Sequence, residues 1–88
     1  MDIKVSKDLI YIGEESNPKA YINFRVEDNK MSIDHTIVKK ELEGQGIAGK
    51  LTDKAVEYAK ENGYKIVPIC SYAVRYFEKR PELKDLLA

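Results

Sequence analysis

The sequence predicts an α+β domain: an antiparallel strand meander, then a strand–helix–strand crossover, then a short C-terminal helix. Three observations carry this. A period-two alternation of apolar and polar residues runs from Ala20 into the thirties. A 3.6-residue apolar period runs from Ile47 to Ala59. Gly44 and Gly46 stand between the two patterns, where the chain must turn from one to the other, and Gly49 follows just inside the second.

Leu9 to Gly13 is a short apolar run with Ile10 and Ile12 alternating, and it reads as the first strand. Glu14 to Pro18 reads as a turn punctuated by Asn17-Pro18. Ala20, Ile22, Phe24 and Val26 share one face of the next strand, with Tyr21, Asn23 and Arg25 on the other. Asp28-Asn29 signals a tight turn. Met31, Ile33, His35 and Ile37 then alternate with Ser32, Asp34, Thr36 and Val38. The connections are too short for crossovers, so about three antiparallel strands are expected.

Ile47, Leu51, Ala55, Tyr58 and Ala59 form one helix face, opposite a largely charged surface. Asn62-Gly63 ends that helix, with glycine after its last turn. Tyr64 to Ile69 is a further strand, and Pro68 confines it to an edge, an end or a bulge. Ser71 is a cap for a last helix over Tyr72 to Lys79, stopped by Arg80-Pro81, with a further turn over Glu82 to Leu87. A strand–helix–strand unit of this kind pairs its strands in parallel. The glycine turn then lies at the carboxyl end of the first strand, where ligands of α/β units bind.

At 88 residues the chain is one domain with a modest core. Fifteen basic and fifteen acidic side chains cancel. No global basic field exists to hold nucleic acid or an anionic membrane. No apolar run is long enough to span a bilayer, and the N-terminus lacks a signal-peptide apolar region. Cys70 is the single cysteine, so a reducing, cytoplasmic compartment is expected. One His and one Cys fall short of a metal set.

The segment from Glu43 to Leu51 carries the most chemistry. Glycine lets a turning backbone approach a ligand without a Cβ in the way. A helix opening there directs unpaired N–H groups and its positive dipole end outward, which makes a seat for phosphate. Gly44, Gly46 and Gly49 also satisfy a Gly-x-Gly-x-x-Gly spacing. A dinucleotide fold is discounted, because the preceding sheet is antiparallel and the chain is too short for the full sheet.

The order of strand, Gly44-Gln45-Gly46-Ile47-Ala48, long helix, strand and short helix resembles the acyl-CoA-binding half of the GCN5-related N-acetyltransferases (GNAT). Gly46 and Ala48 match the last two fixed positions of that family's Gln/Arg-x-x-Gly-x-Gly/Ala loop. Ala73-Val74-Arg75-Tyr76-Phe77-Glu78-Lys79 is similar to its last-helix pattern. His35-Thr36 and Pro68-Ile69-Cys70-Ser71-Tyr72 look like a small single-domain subfamily, in which the cysteine is the suggested reactive residue. The resemblance implies a minimal GNAT-like fold in three layers, with residues 1–88 forming one acyl-CoA-binding domain. It further implies that amides from Gly44, Gln45, Gly46, Ile47, Ala48 and Gly49 hold the pyrophosphate of acetyl-CoA or coenzyme A. The pantetheine arm then runs along the backbone near Ile37 and Val38, and the thioester ends near Cys70.

Four departures from the family pattern stand out. Glu43 replaces the opening Gln/Arg, and its repulsion of a diphosphate costs roughly 1 kcal/mol if exposed. Phe77 aligns with the tyrosine that protonates the departing thiolate. Tyr76 is its neighbour, but one residue along a helix rotates a side chain by about 100°. Cys70 stands where the family often has Asn. The helices usually inserted after the first strand and the closing hairpin are absent, so an open acceptor side is left for a second subunit or another protein to complete.

Cys70, at a strand end and a helix start, is the candidate nucleophile, because a helix N-terminus favours a thiolate. Its alternative role is that of a small buried hydrophobe. His35, on the Ile33/Ile37 face of its strand, is the candidate base, alternatively a hydrogen-bonded core histidine. Tyr76 is a candidate cofactor contact, alternatively a packing partner of Tyr72 on the same helix. The sequence therefore points to an acetyl-CoA-binding acetyltransferase acting on an amine or protein acceptor. A CoA-binding module without catalysis and a protein-interaction domain stay open as alternatives.

Overall fold

The computed structural model describes residues 2–88. It contains one five-stranded sheet in sequential order, β1 (Lys4–Val5), β2 (Leu9–Glu14), β3 (Asn17–Glu27), β4 (Lys30–Val38) and β5 (Lys65–Pro68). The first four strands are antiparallel, and β5 joins β4 in parallel. Helix α1 (Ile47–Asn62) crosses over between β4 and β5, and α2 (Ser71–Glu78) comes after β5. Short 3₁₀ turns cover Lys40–Leu42 and Pro81–Leu86. The meander thus has one strand more than its alternation showed, because β1 is too short to carry a period.

Two turns are set by local chemistry. Asp28 and Asn29 both take positive φ, 52° and 62°, between the paired residues Glu27 and Lys30. Two left-handed residues match the twist of a hairpin, and Asp and Asn tolerate that region best among non-glycines. The β2–β3 turn is Glu15-Ser16, flanked by the pair Glu14 and Asn17. Asn17-Pro18 therefore opens β3 instead of forming the turn.

The core lies on one sheet face. Ile10, Ile12, Ala20, Ile22, Phe24, Met31, Ile33 and Ile66 meet Ile47, Leu51, Ala55, Val56 and Ala59 of α1 and Ala73, Tyr76 and Phe77 of α2. Each fully buried aliphatic side chain contributes roughly 1.5–3 kcal/mol. Both helices pack into this single cluster, so the fold has two layers where three were expected. The opposite face carries Tyr21, Asn23, Arg25, His35 and Ile37, with His35 and Ile37 exposed. Among the described residues no helix is long and apolar enough to cross a membrane.

One irregularity positions the site. Asn23 pairs with His35 and Phe24 with Ile33, which leaves Asp34 as an extra residue in β4. Such a bulge reverses the side-chain parity of the rest of the strand. Ile33 is buried, but His35 and Ile37 turn outward, and Thr36 and Val38 turn toward the helices. The Arg25 guanidinium holds the bulge, with Nε donating to Asp34 Oδ2 at 2.7 Å and Nη2 to Oδ1 at 3.0 Å.

Candidate functional site

β4 and β5 part company at Ile33 and Pro68, their last parallel pair. Proline has no N–H to continue the ladder. The next two amides, Ile69 N and Cys70 N, both donate to Ile33 O at 3.1 and 3.2 Å, and the chain then turns into α2. β4 runs on alone from Asp34 to Val38 on this side, which opens a gap at the carboxyl ends of the two strands.

At the mouth of that gap lies a cleft of about 270 Å³, bordered by Val38, Leu42, Glu43, Gly44, Gly46, Ala48, Gly49 and Tyr72. Gly44 and Gly46 have φ of 81° and 71°, values costly for any residue with a Cβ. Gly46 is the N-cap of α1 and supplies no side-chain cap, and the first turn holds no acid. Lys50 N is the first amide bonded back to the cap, to Gly46 O at 3.2 Å. The N–H groups of Ile47, Ala48 and Gly49 thus have no helical acceptor. Four of the predicted loop residues, Gly44, Gly46, Ala48 and Gly49, border the cleft, while the Gln45 side chain is exposed and Ile47 is buried in the core. Among the described residues, the single formal charge on the cleft wall is the Glu43 carboxylate.

Cys70 is the N-cap of α2 and is partly buried. Ala73 N–H donates to its sulfur at 3.4 Å. Thr36 Oγ1 lies 3.3 Å from the same sulfur, across the strand gap. The neighbour expected at the thiol was His35, on the face of Ile33. The bulge at Asp34 corrects that placement, because it turns His35 to the exposed sheet face beside Asn23 and brings Thr36 to the thiol. Val38 borders the cleft from the same strand, and Ile37, 44 % exposed, directs its side chain away from it.

Tyr76 is buried, 4 % exposed, and its hydroxyl donates to Asp53 Oδ1 of α1 at 2.5 Å. The Arg80 guanidinium lies 3.8 Å from its ring centroid, and the Phe77 ring meets it edge-to-face with centroids 4.9 Å apart. Burial, then the Asp53 hydrogen bond and charge, hold this phenol well above the ordinary tyrosine range. Tyr76 does not border the glycine cleft. It lines a second cavity of about 270 Å³ together with Tyr72, Arg75, Lys79 and Arg80. Tyr72 borders both.

Thr36 and the pairing of Asp53 with Tyr76 escape a reading of the sequence. Thr36 is hidden by the parity reversal. The Asp53–Tyr76 bond joins two helices whose contact no local pattern encodes. Tyr72 was legible only as a packing partner.

Comparison with known proteins bears on the family and the fold. The family described as GCN5-related N-acetyl-transferase matches residues 9–86. The solution structure of a GCN5-like candidate N-acetyltransferase from Staphylococcus aureus is 42% identical, with a TM-score of 0.79, over 99% of this chain and 87% of that one. The crystal structure of a GNAT-family acetyltransferase from Staphylococcus aureus MU50 is 23% identical, with a TM-score of 0.57, over 83% of this chain and 49% of that one, and shares the fold. No curated protein matches the chain. The sequence match over most of the chain and the shared sheet-and-helix architecture agree: the chain belongs to the GCN5-related N-acetyltransferases.

Proposed function

We propose that the cleft binds acyl-CoA, acetyl-CoA in particular, and that the acyl group passes through the Cys70 thiol to an amine or protein acceptor. One observation carries this reading: the uncapped N-terminus of α1 shares a cleft with Val38 of β4 and Tyr72 of α2, and Cys70, two residues before Tyr72, meets Thr36, two residues before Val38, where β4 and β5 separate. The amides of Gly44 to Gly49 suit a diphosphate, since they are donors without acceptors on a glycine-lined wall. Glu43 opposes the charge, and its exposure lets water screen it. The pantetheine arm has the unpaired edge of β4, near Ile37 and Val38, to hydrogen-bond along.

The transfer is balanced in two steps. The Cys70 thiol gives up its proton and its sulfur attacks the thioester carbonyl, the carbon–sulfur bond to CoA breaks, and the departing CoA thiolate takes up that proton. An acceptor amine then attacks the S-acyl cysteine and forms the amide, and the proton lost by the nitrogen passes to the released sulfur, which returns as a thiol. Thr36 Oγ1 and the Ala73 N–H orient the sulfur of the free thiol for the attack.

A second reading, CoA binding without transfer, draws on Tyr76 and Phe77. The tyrosine hydroxyl is engaged by Asp53, and the neighbouring position carries a buried ring with no proton to give. Intact-mass measurement after incubation with acetyl-CoA separates the two. Transfer through the thiol gives an acetyl mass gain that Cys70→Ala abolishes. An unmodified protein under conditions where calorimetry shows saturable CoA binding leaves the second reading standing.

A further inference from the structure

We propose that the cationic groove on α2, formed by Tyr72, Arg75, Lys79 and Arg80, binds the 3′-phosphorylated nucleoside end of coenzyme A and makes the protein select CoA over dephospho-CoA. This rests on the CoA reading above and extends it to a cavity that the thioester chemistry does not use.

The charge distribution points there. Coenzyme A carries a diphosphate and a separate 3′-phosphomonoester. The glycine cleft offers the diphosphate main-chain donors but, among the described residues, no cationic side chain on its wall, and Glu43 subtracts from it. The second cavity has the opposite character. Arg75 and Lys79 are exposed on its wall, and among the described residues neither has a carboxylate within ion-pair distance. The Arg80 guanidinium is held on the Tyr76 ring, and Nη1 donates to Tyr76 O at 3.2 Å, so its charge is fixed at the cavity edge. Asp53, the acid on α1 that reaches Tyr76, accepts from its hydroxyl.

The two cavities meet at Tyr72, whose side chain borders each. Along α2, Arg75 and Lys79 lie one and two turns beyond Tyr72, a span of roughly 5–10 Å. That is the scale of a ribose and its phosphates. The exposed Tyr72 ring offers a face for adenine, and the two cations beyond it supply charge-assisted hydrogen bonds to a phosphomonoester. The same chain segment therefore carries both the wall of the diphosphate seat and the counter-charge for the far end of the ligand.

The test is a pair of calorimetric titrations, with CoA and with dephospho-CoA, on the wild-type chain and on the double variant Arg75→Gln/Lys79→Gln. Both positions are exposed, and circular dichroism checks that the variant stays folded. The wild type is expected to bind CoA about tenfold more tightly than dephospho-CoA, and the preference is expected to weaken with added salt. In the variant the two ligands are expected to bind alike, at the wild-type dephospho-CoA level. Equal affinity of the wild type for both ligands overturns the proposal and leaves the diphosphate seat intact. A variant that keeps the full preference overturns it too. Binding of neither ligand by the wild type removes this proposal together with the cofactor reading.

Discussion

The hydroxyl of Thr36 and the thiol of Cys70 lie 3.3 Å apart, bridging the point where two parallel strands separate. This contact, with the Ala73 amide on the same sulfur, ties the open stretch of β4 to the start of α2.

Replacing Thr36 by Val keeps the volume and removes the oxygen. Stability in urea is expected to fall by about 1 kcal/mol. Acetylation of Cys70 by acetyl-CoA, tracked by intact mass, is expected to slow while CoA affinity stays within about twofold. Cys70→Ser provides the companion measurement. Serine is a good N-cap, so its stability should match the wild type, whereas Cys70→Ala should lose about 1 kcal/mol with the cap. Equal acetylation rates in wild type and Thr36→Val would show that the contact is structural only.

The glycines of the cleft separate stability from binding. A Cβ at Gly46 meets nothing within 4 Å, so Gly46→Ala is opposed by the left-handed φ of 71° alone. The expected loss is about 1–2 kcal/mol, with weaker CoA binding as the cap readjusts. Gly49 is helical, and a Cβ there lies 3.5 Å from Tyr72 Oη, an ordinary contact. Gly49→Ala is expected to raise stability by about 0.5–1 kcal/mol through helix propensity. It narrows the cleft at the same time, so CoA affinity should fall. A thermal melt and a CoA titration on the same sample read both effects.

At alkaline pH the buried phenol should show. Folding raises the Tyr76 pKa above its ordinary 10.0, through burial and then the Asp53 interaction. The unfolded chain therefore releases this proton first. The contribution is complete below pH 10.0 and is lost progressively as pH climbs beyond it toward the folded value. Tyr76→Phe should flatten that part of the stability–pH curve. It should also lower stability near neutrality by about 1 kcal/mol, because the bond to Asp53 is gone. An unchanged alkaline slope in the variant would contradict the assignment.

At acid pH the bulge should show. The hydrogen bond from Arg25 holds the Asp34 carboxyl below its ordinary 3.8, against the opposing effect of burial. Its contribution is present above pH 3.8 and is lost as pH falls through the lower, folded value. Asp34→Asn should therefore be less stable than the wild type near neutrality, and the two should converge in strong acid. Chemical denaturation at neutral and acid pH checks this. The Arg25 side chain is exposed, so salt should shrink the difference.

Much of the fold was legible because it rests on short-range regularities. The period of Ala20–Phe24, the helical face from Ile47 to Ala59, Gly63 as its stop and Pro68 as the end of β5 all act within a few residues. The glycine loop was legible for the same reason, since Gly44 and Gly46 before an amphipathic helix, with Gly49 in its first turn, announce a backbone task. Layering was less so. Nothing in the pattern of Tyr72 to Lys79 says which sheet face its apolar side must cover.

The partner of the thiol could not be read at all. Alternation along residues 31–38 assigns His35 to the inner face, and one extra residue at Asp34 reverses that assignment for every position after it. The insertion has no signature of its own, since it exists only as a mismatch in count between β3 and β4. Propensity and periodicity along the chain sufficed for the order of the longer elements from β2 to α2 and for the glycine-bearing start of α1, while the two-residue β1 left no such mark. Only the tertiary structure decided that Thr36 faces Cys70, that Asp53 holds Tyr76, and that two cavities meet at Tyr72. Those depend on strand register and helix packing, which join residues far apart in the chain and leave no local trace.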